Sequence, residues 1–400
     1  MTIFQQGAGT ALSLKSQFAK NVSRVKIFLG ALRRAILLFL MGIVLVNGLV
    51  QSDQPQIMGV LQRFSLCGLF VTVVVLCCRR QVATVPSAAT SSRTTSIDRP
   101  TRSQPPSPRG SGSSGSNTSI PSPARASLVA QSPRPGSDGG AEGAEGGLFR
   151  DLIPWEWVSV LFFIVVHTLC TFCLPVPGCP TGYLGPGGVG DFGHYPLCTG
   201  GAANFIDRTV LGPGRIMSGP TCSGPYNCQN HDPEGLLGTL TSCVLTYLGL
   251  VCGRIMIVYK SPLERLWRLV GWGCILGGAA LLLCNGQQEG GVIPINKNLW
   301  SLSFIFATGA TAFLMLALCY VLVDVTQAWG GAPFVYPGMN SILMYCLSEL
   351  LQLHWPFSVL PAPNVLHDSH ARLLISNLFA VFLYFCISYY LFKQEVFMKI

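Results

Sequence analysis

GVIPINKNLWSLSFIFATGATAFLMLALCYVLV, residues 291–323, decides the fold. A Gly/Pro-rich turn gives way to a polar group, Asn296, Lys297, Asn298, Trp300 and Ser301, and then to an apolar run. The run over 299–323 is long enough to cross the roughly 30 Å of bilayer hydrocarbon, which takes about 20 helical residues. Polar groups at the mouth of such a run are costly to bury unless they have a task. A helix cap accounts for one asparagine; two asparagines together with Lys297 mark the stretch as a candidate site.

Working outward, further runs of this length lie near 34–51, 57–78, 154–175, 235–258, 264–284, 333–354 and 372–392. Half the chain is hydrophobic, 11% is charged, and mean hydropathy is +0.47. A soluble chain carries about a quarter charged residues. The expected fold is therefore an all-α polytopic membrane protein with about eight transmembrane helices. Pro337 and Gly338 predict a broken helix in the seventh span. The net charge of +9 is explained by basic residues flanking the spans, so no nucleic-acid partner is implied. Lys and Arg crowd the N-terminal tail, the second connection, the 254–268 region and the C-terminus. The opposite side holds Arg208, Arg215 and Lys297. The positive-inside rule puts both termini in the cytosol.

The expected organisation is a cytosolic basic tail (1–33), two spans (34–78), a disordered Pro/Ser/Gly-rich cytosolic loop (79–153) and six further spans (154–400). The last part includes one long non-cytosolic loop, 176–234. The 79–153 loop is too poor in apolar residues to offset its chain entropy. The 176–234 loop carries Cys179, Cys198, Cys222 and Cys228 on the side where cysteines pair. No convincing Cys/His spacing for a metal is present, nor is a G-x-S-x-G elbow, an H-E-x-x-H helix or a Walker loop.

Several residues read both ways. Arg63, beside Gln62 early in the second span, is either an arginine snorkelling to the interface or a pocket residue. Arg34 is either topogenic charge or a phosphate-binding guanidinium. In His231-Asp232-Pro233-Glu234-Gly235, a helix start with Asp as cap and Pro at the first turn competes with carboxylates that accept hydrogen bonds from an amino sugar. Asn340 and Ser341 follow the break and are candidates to line a cavity. Glu349, an intramembrane carboxylate, is a functional candidate or an ion-pair partner of Arg63. His167 reads as an interior histidine.

The stretches LPVPGCPTGYLGPGGVGDFGHYPLCTGG (174–201), DPEGLLGTL (232–240), GVIPINKNLWSLSF (291–304) and YPGMNSILMY (336–345) resemble the lysosomal transmembrane heparan-α-glucosaminide N-acetyltransferase family. The resemblance runs through most of 31–80 and 152–400. It implies transfer of acetyl from cytosolic acetyl-CoA, a co-substrate, to the terminal glucosamine of heparan sulfate in the lysosomal lumen. It implies a multi-pass lysosomal membrane protein whose partners are that glucosamine, the lipid bilayer and, in a homodimer, a second copy. It assigns acetyl-CoA to Arg34, Asn296, Lys297, Asn298, Trp300 and Ser301. The acceptor pocket falls to Arg63, Asp232, Glu234, Asn340, Ser341 and Glu349. It makes Cys179–Cys198 the first expected disulfide and Cys222–Cys228 the second. The family's catalytic histidine precedes a motif of the type NGLTVADLVFPW, which this sequence does not contain. The chain is thus expected to be an N-terminally truncated form of doubtful competence. Its catalytic residue is unknown, and His231 is the weak candidate. The alternative is a non-catalytic or transporter-like membrane protein remnant.

Overall fold

The computed structural model describes residues 2–49, 55–78, 154–287, 291–351, 354, 356–357 and 370–398. The expected disordered loop, 79–153, lies outside the described residues. In chain order the helices are α1 (Thr2–Ala19), α2 (Arg24–Leu49), α3 (Val60–Cys78), α4 (Pro154–Cys173), α5 (Gly201–Val210) and α6 (Ser223–Tyr226). They continue with α7 (Leu236–Val258), α8 (Pro262–Cys284), α9 (Leu302–Tyr320), α10 (Val335–Met339), α11 (Ser341–Leu351) and α12 (His370–Lys393). Among the described residues seven helices are long and apolar enough to cross a membrane: α2, α3, α4, α7, α8, α9 with its π-helical extension Val321–Val325, and α12. The chain is an all-α polytopic membrane protein.

The sequence predicts about eight spans, and the difference is the stretch 333–354. Pro337 supplies no N–H to the preceding turn, and Asn340 leaves helical geometry (φ −121, ψ 36) between α10 and α11. The predicted break is present, and the remaining helix, α11, is too short to be counted with the seven.

Residues 174–235 fold over one end of the bundle, the loop end; the short α7–α8 connection marks the opposite, turn end. Helix α7 is the axis of the bundle, with most of its residues buried. It is polar enough to need neighbours and small enough to admit them. Gly249 and Gly253 form a small-xxx-small stripe, and a Cβ at Gly249 would overlap the carbonyl of Phe4. The neighbour they admit is α1. Residues 1–33 read as a basic tail, yet Ile3, Phe4, Gly7, Ala11 and Leu14 form one buried stripe at helical spacing. The Phe4 ring meets Phe313, midway along α9, edge-on at 5.1 Å. Phe313 continues to Trp272 (6.2 Å), Trp157 (6.1 Å) and Tyr247 (5.2 Å from Trp157), an aromatic chain joining α1, α9, α8, α4 and α7.

At the turn end Glu156, in the first turn of α4, is fully buried. Arg254 of α7 grips it with two bonds, Nη1 to Oε2 at 2.5 Å and Nη2 to Oε1 at 2.7 Å, and the Tyr247 hydroxyl donates to Oε2 at 3.0 Å. Buried charge of this kind is stable only when fully partnered, and here it fastens α4 to α7.

Candidate functional site: a polar cluster at the loop end and a cavity behind it

The loop between α4 and α7 is closed by two disulfides, Cys179–Cys198 and Cys222–Cys228. Its helix α5 carries Asp207, fully buried, whose Oδ1 accepts from the Leu236 N–H at 2.8 Å. The start of α7 is therefore capped from 29 residues away. Asp232 does not cap α7; its Oδ1 accepts from the Glu234 N–H at 3.0 Å, a local turn, and its Oδ2 accepts from Gln56 Nε2 at 3.1 Å.

Arg63 is 1% exposed. Its Nη2 donates to the carbonyls of Pro233 (3.0 Å) and Gly235 (3.2 Å). Its guanidinium lies over the Trp300 ring at 4.4 Å, a cation–π contact strengthened by the lack of water. Arg63 is thus neither a snorkelling side chain nor an ion-pair partner of Glu349; it clamps the carbonyls that lead into α7.

His231 is 3% exposed. Its Nε2 faces the Asn298 carbonyl at 3.3 Å. A carbonyl only accepts, so a neutral ring donates from Nε2 and leaves Nδ1 as the basic nitrogen. Nδ1 has no partner among the described residues. A Cβ at Gly200 would stand 2.7 Å from it, so glycine is what lets the loop approach the ring.

Burial sets the electrostatics. Asp232 is pushed up to about 7 by burial, then by its like-charged neighbours Glu234 and Asp207. Asp207 is pushed up to about 6 by burial, against the pull of Arg63 and the Leu236 N–H. Burial lowers His231 from its ordinary 6.5. At mildly acidic pH the two aspartates keep their protons, and burial biases the imidazole toward its neutral form. A neutral imidazole carries one lone pair that can accept a proton.

The 296–301 segment divides. Asn296 Oδ1 accepts from the N–H groups of Asn298 (2.9 Å) and Leu299 (3.2 Å). Ser301 Oγ accepts from Asn296 N–H (3.0 Å) and Phe304 N–H (3.3 Å) and donates to the Pro294 carbonyl (2.8 Å). Both build the start of α9. Lys297 is exposed and Asn298 half-buried. Trp300 contributes its ring to Arg63 and its carbonyl to Thr241 Oγ1 at 2.9 Å.

Arg34 lines a different space, a cavity of about 480 Å³ bounded by α1, α2 and α3. Gln6, Thr10 and Gln17 of α1 and Ser65 and Thr72 of α3 give it polar walls, with Arg33 and Arg34 on α2. Helix α3 joins the two places: Arg63 reaches the loop-end cluster, and Phe64 and Ser65 line the cavity.

Asn340 ties the C-terminal segment to the helix break. Buried at the α10–α11 break, it donates from Nδ2 to the Val396 carbonyl (2.8 Å) and accepts from Met398 N–H (3.0 Å). Ser341 is exposed. Glu349 is half-buried and bonds the hydroxyl of Tyr345, which is also within electrostatic reach of Glu234. Sequence reasoning missed Asp207, Gln56 and the polar face of α1; their partners are remote in sequence.

No family model matches the chain. It is 44% identical over 247 residues to the heparan-alpha-glucosaminide N-acetyltransferase of Mus musculus and to that of Homo sapiens. The match covers 61% of this chain and 37% of each relative, so the chain spans about a third of their length.

Proposed function

We propose that this chain carries the donor and acceptor sites of a membrane acetyltransferase of the kind its relatives are named for. The carrying observation is the placement of α3, whose neighbouring residues serve a polar cavity on one side and a buried acid–histidine cluster on the other. In this reading the turn end, with the C-terminus, faces the cytosol and the loop end faces the lysosomal lumen, in line with the excess of basic residues on the cytosolic side; the first residues of α1, expected in the cytosol, instead pack within the bundle. Acetyl-CoA enters the cavity of α1–α3, where Arg34 meets its phosphates. The terminal glucosamine of heparan sulfate approaches the loop end, where Asp232 and Glu234 orient its amino group; its nitrogen attacks the thioester carbonyl, His231 Nδ1 accepts the proton that nitrogen loses, and the C–S bond breaks, with coenzyme A leaving as the thiol that takes up this proton.

The sequence contains no stretch of the NGLTVADLVFPW type, and the proposal gives full transfer to this chain together with a segment that carries that histidine. The test uses purified chain in detergent, radiolabelled acetyl-CoA and glucosamine at mildly acidic pH. Acetyl-CoA should bind in an Arg34-dependent way, and acetylglucosamine should form when the histidine segment is supplied. Turnover by the chain alone would make His231 sufficient as base. Failure to bind acetyl-CoA, with flux of a solute and no acetylated product, would replace this reading with a transporter.

A further inference from the structure

We infer that the loop end holds a second saccharide subsite, for a negatively charged sugar next to the one that enters the His231 cluster. This rests on the acetyltransferase reading for the identity of the polymer, but its geometry is independent of it. A cavity of about 410 Å³ lies between α5 and the Cys179–Cys198 loop, a volume within the range of small-ligand sites. Its walls are mixed in the way sugars require. Phe205, Leu197 and Pro213 offer apolar faces for ring C–H groups, while Thr199, Asn204 and Arg208 offer polar groups.

Arg208 is held for this task rather than loose. Its Nη1 donates to Gln229 Oε1 at 2.8 Å, and Gln229 is itself anchored, N–H to Thr199 Oγ1, at 3.0 Å. One bond of five donors is used there, which leaves a fork suited to a carboxylate or sulfate. Asn204 is buried, its Nδ2 bound to the Thr199 carbonyl at 2.9 Å, and its Oδ1 has no partner among the described residues. Asn204 thus stiffens the cavity wall from behind, and Arg208 is the group exposed in the cavity to a ligand.

The two sites share α5. Successive helical residues point about 100° apart, so Asp207 turns inward to cap α7 while Arg208 faces the cavity. Gly200 touches both: a Cβ there would stand 2.7 Å from His231 Nδ1 and 3.1 Å from Asn204 Cβ. The subsite thus lies beside the cluster, with α5 and Gly200 between them. Heparan-type chains carry carboxylate and sulfate on the sugars next to the terminal one, and Arg208 is a cation placed to meet one.

The test is binding to the full chain in lipid nanodiscs. The probes are a heparan sulfate tetrasaccharide ending in glucosamine, its desulfated form, its carboxyl-reduced form, and free glucosamine. Arg208→Gln should weaken the tetrasaccharide about tenfold and leave glucosamine within about twofold, and added salt should erase the difference. Whichever anion is bound, removing it chemically should abolish the Arg208 effect. Arg208→Lys, which keeps charge without the fork, should fall between. Equal weakening of charged and uncharged probes, or salt-independent binding by the unmodified chain, overturns the subsite. So does an Arg208 effect seen only with anionic phospholipid vesicles. A chain that binds the tetrasaccharide through Arg208 but never takes up acetyl-CoA loses the acetyltransferase reading and keeps the subsite. A chain that takes up acetyl-CoA and shows no Arg208 effect does the reverse.

Discussion

The turn end and the loop end both bury charge, and they do it differently. Glu156 has the two-pronged grip of Arg254 and the Tyr247 hydroxyl. At the loop end Arg63 spends one nitrogen on carbonyls, and its Nε and Nη1 have no partner among the described residues. The same holds for both amide atoms of Gln62, His231 Nδ1 and Asp207 Oδ2. Buried polar groups in folded proteins are nearly always paired, so a satisfied set reads as a fastening and an unsatisfied one as room for something else. The turn end has an unpartnered Trp157 Nε1 as well, so among the described residues the difference is that the loop end holds the larger unsatisfied set and its charged members.

The fastening gives the largest expected effect. Glu156→Ala leaves Arg254 facing a buried gap, and breaking one partner of a buried pair costs about 3–5 kcal/mol. Purified variant should lose its cooperative thermal transition or elute as aggregate. Glu156→Gln, which keeps an acceptor for Tyr247, should lose less. A Glu156→Ala protein as stable as its parent would break the comparison, because the two ends would then bury polar groups at the same low cost.

Next is the cavity of α1–α3. Arg34→Ala should weaken acetyl-CoA at least about tenfold, near 1.4 kcal/mol, measured by equilibrium binding at matched protein level. The expected direction follows from charge: a guanidinium exposed in a polar cavity meets phosphate without prior desolvation. Binding within about twofold of the parent, below about 0.4 kcal/mol, would remove Arg34 from the donor site.

A smaller effect separates the ends by pH. Folded Asp232 keeps its proton up to about 7, while in the unfolded chain it titrates near 3.8. Between those values the folded state binds more protons, so stability falls as pH rises. His231 acts oppositely: its folded value lies below 6.5, so stability rises with pH up to 6.5 and then levels. Above that, the Asp232 slope stands alone. The melting-temperature advantage of Asp232→Asn over the parent should begin above pH 3.8 and widen between pH 5 and pH 7.5 by roughly 2–4 °C, the scale of about 1 kcal/mol. Equal melting temperatures at both pH values would mean that Asp232 is not held protonated.

The spans were legible because hydrophobic length in a bilayer is nearly a local property, and so was the break at Pro337 and Gly338. Helix α1 was not. Its buried stripe uses glycine and alanine beside Ile3, Phe4 and Leu14, and glutamines and threonine occupy another face, so it lacks a long apolar run. Its partner stripe, Gly249 and Gly253, lies more than two hundred residues away. The stretch 291–304 was legible as special but not as to why. An asparagine that turns its own backbone and one that lends only its carbonyl look alike in sequence. Asp207 was invisible for the same reason, since what makes it matter is the Leu236 N–H.

Asn296 and Asn298 give the smallest and sharpest test. Asn296 Oδ1 holds two N–H groups ahead of α9, so Asn296→Ala should cost about 1 kcal/mol, the usual worth of a cap. Asn298 meets His231 through its backbone carbonyl, which any residue supplies. Asn298→Ala should therefore change melting temperature by under about 1 °C and leave the His231 contact in place. The family resemblance assigns both side chains to the donor site. Measured together, stability and acetyl-CoA binding decide it. A stable Asn298→Ala variant that binds acetyl-CoA normally confines the site to the Arg34 cavity and the His231 cluster. A stable variant that no longer binds acetyl-CoA restores the 296–301 segment to it.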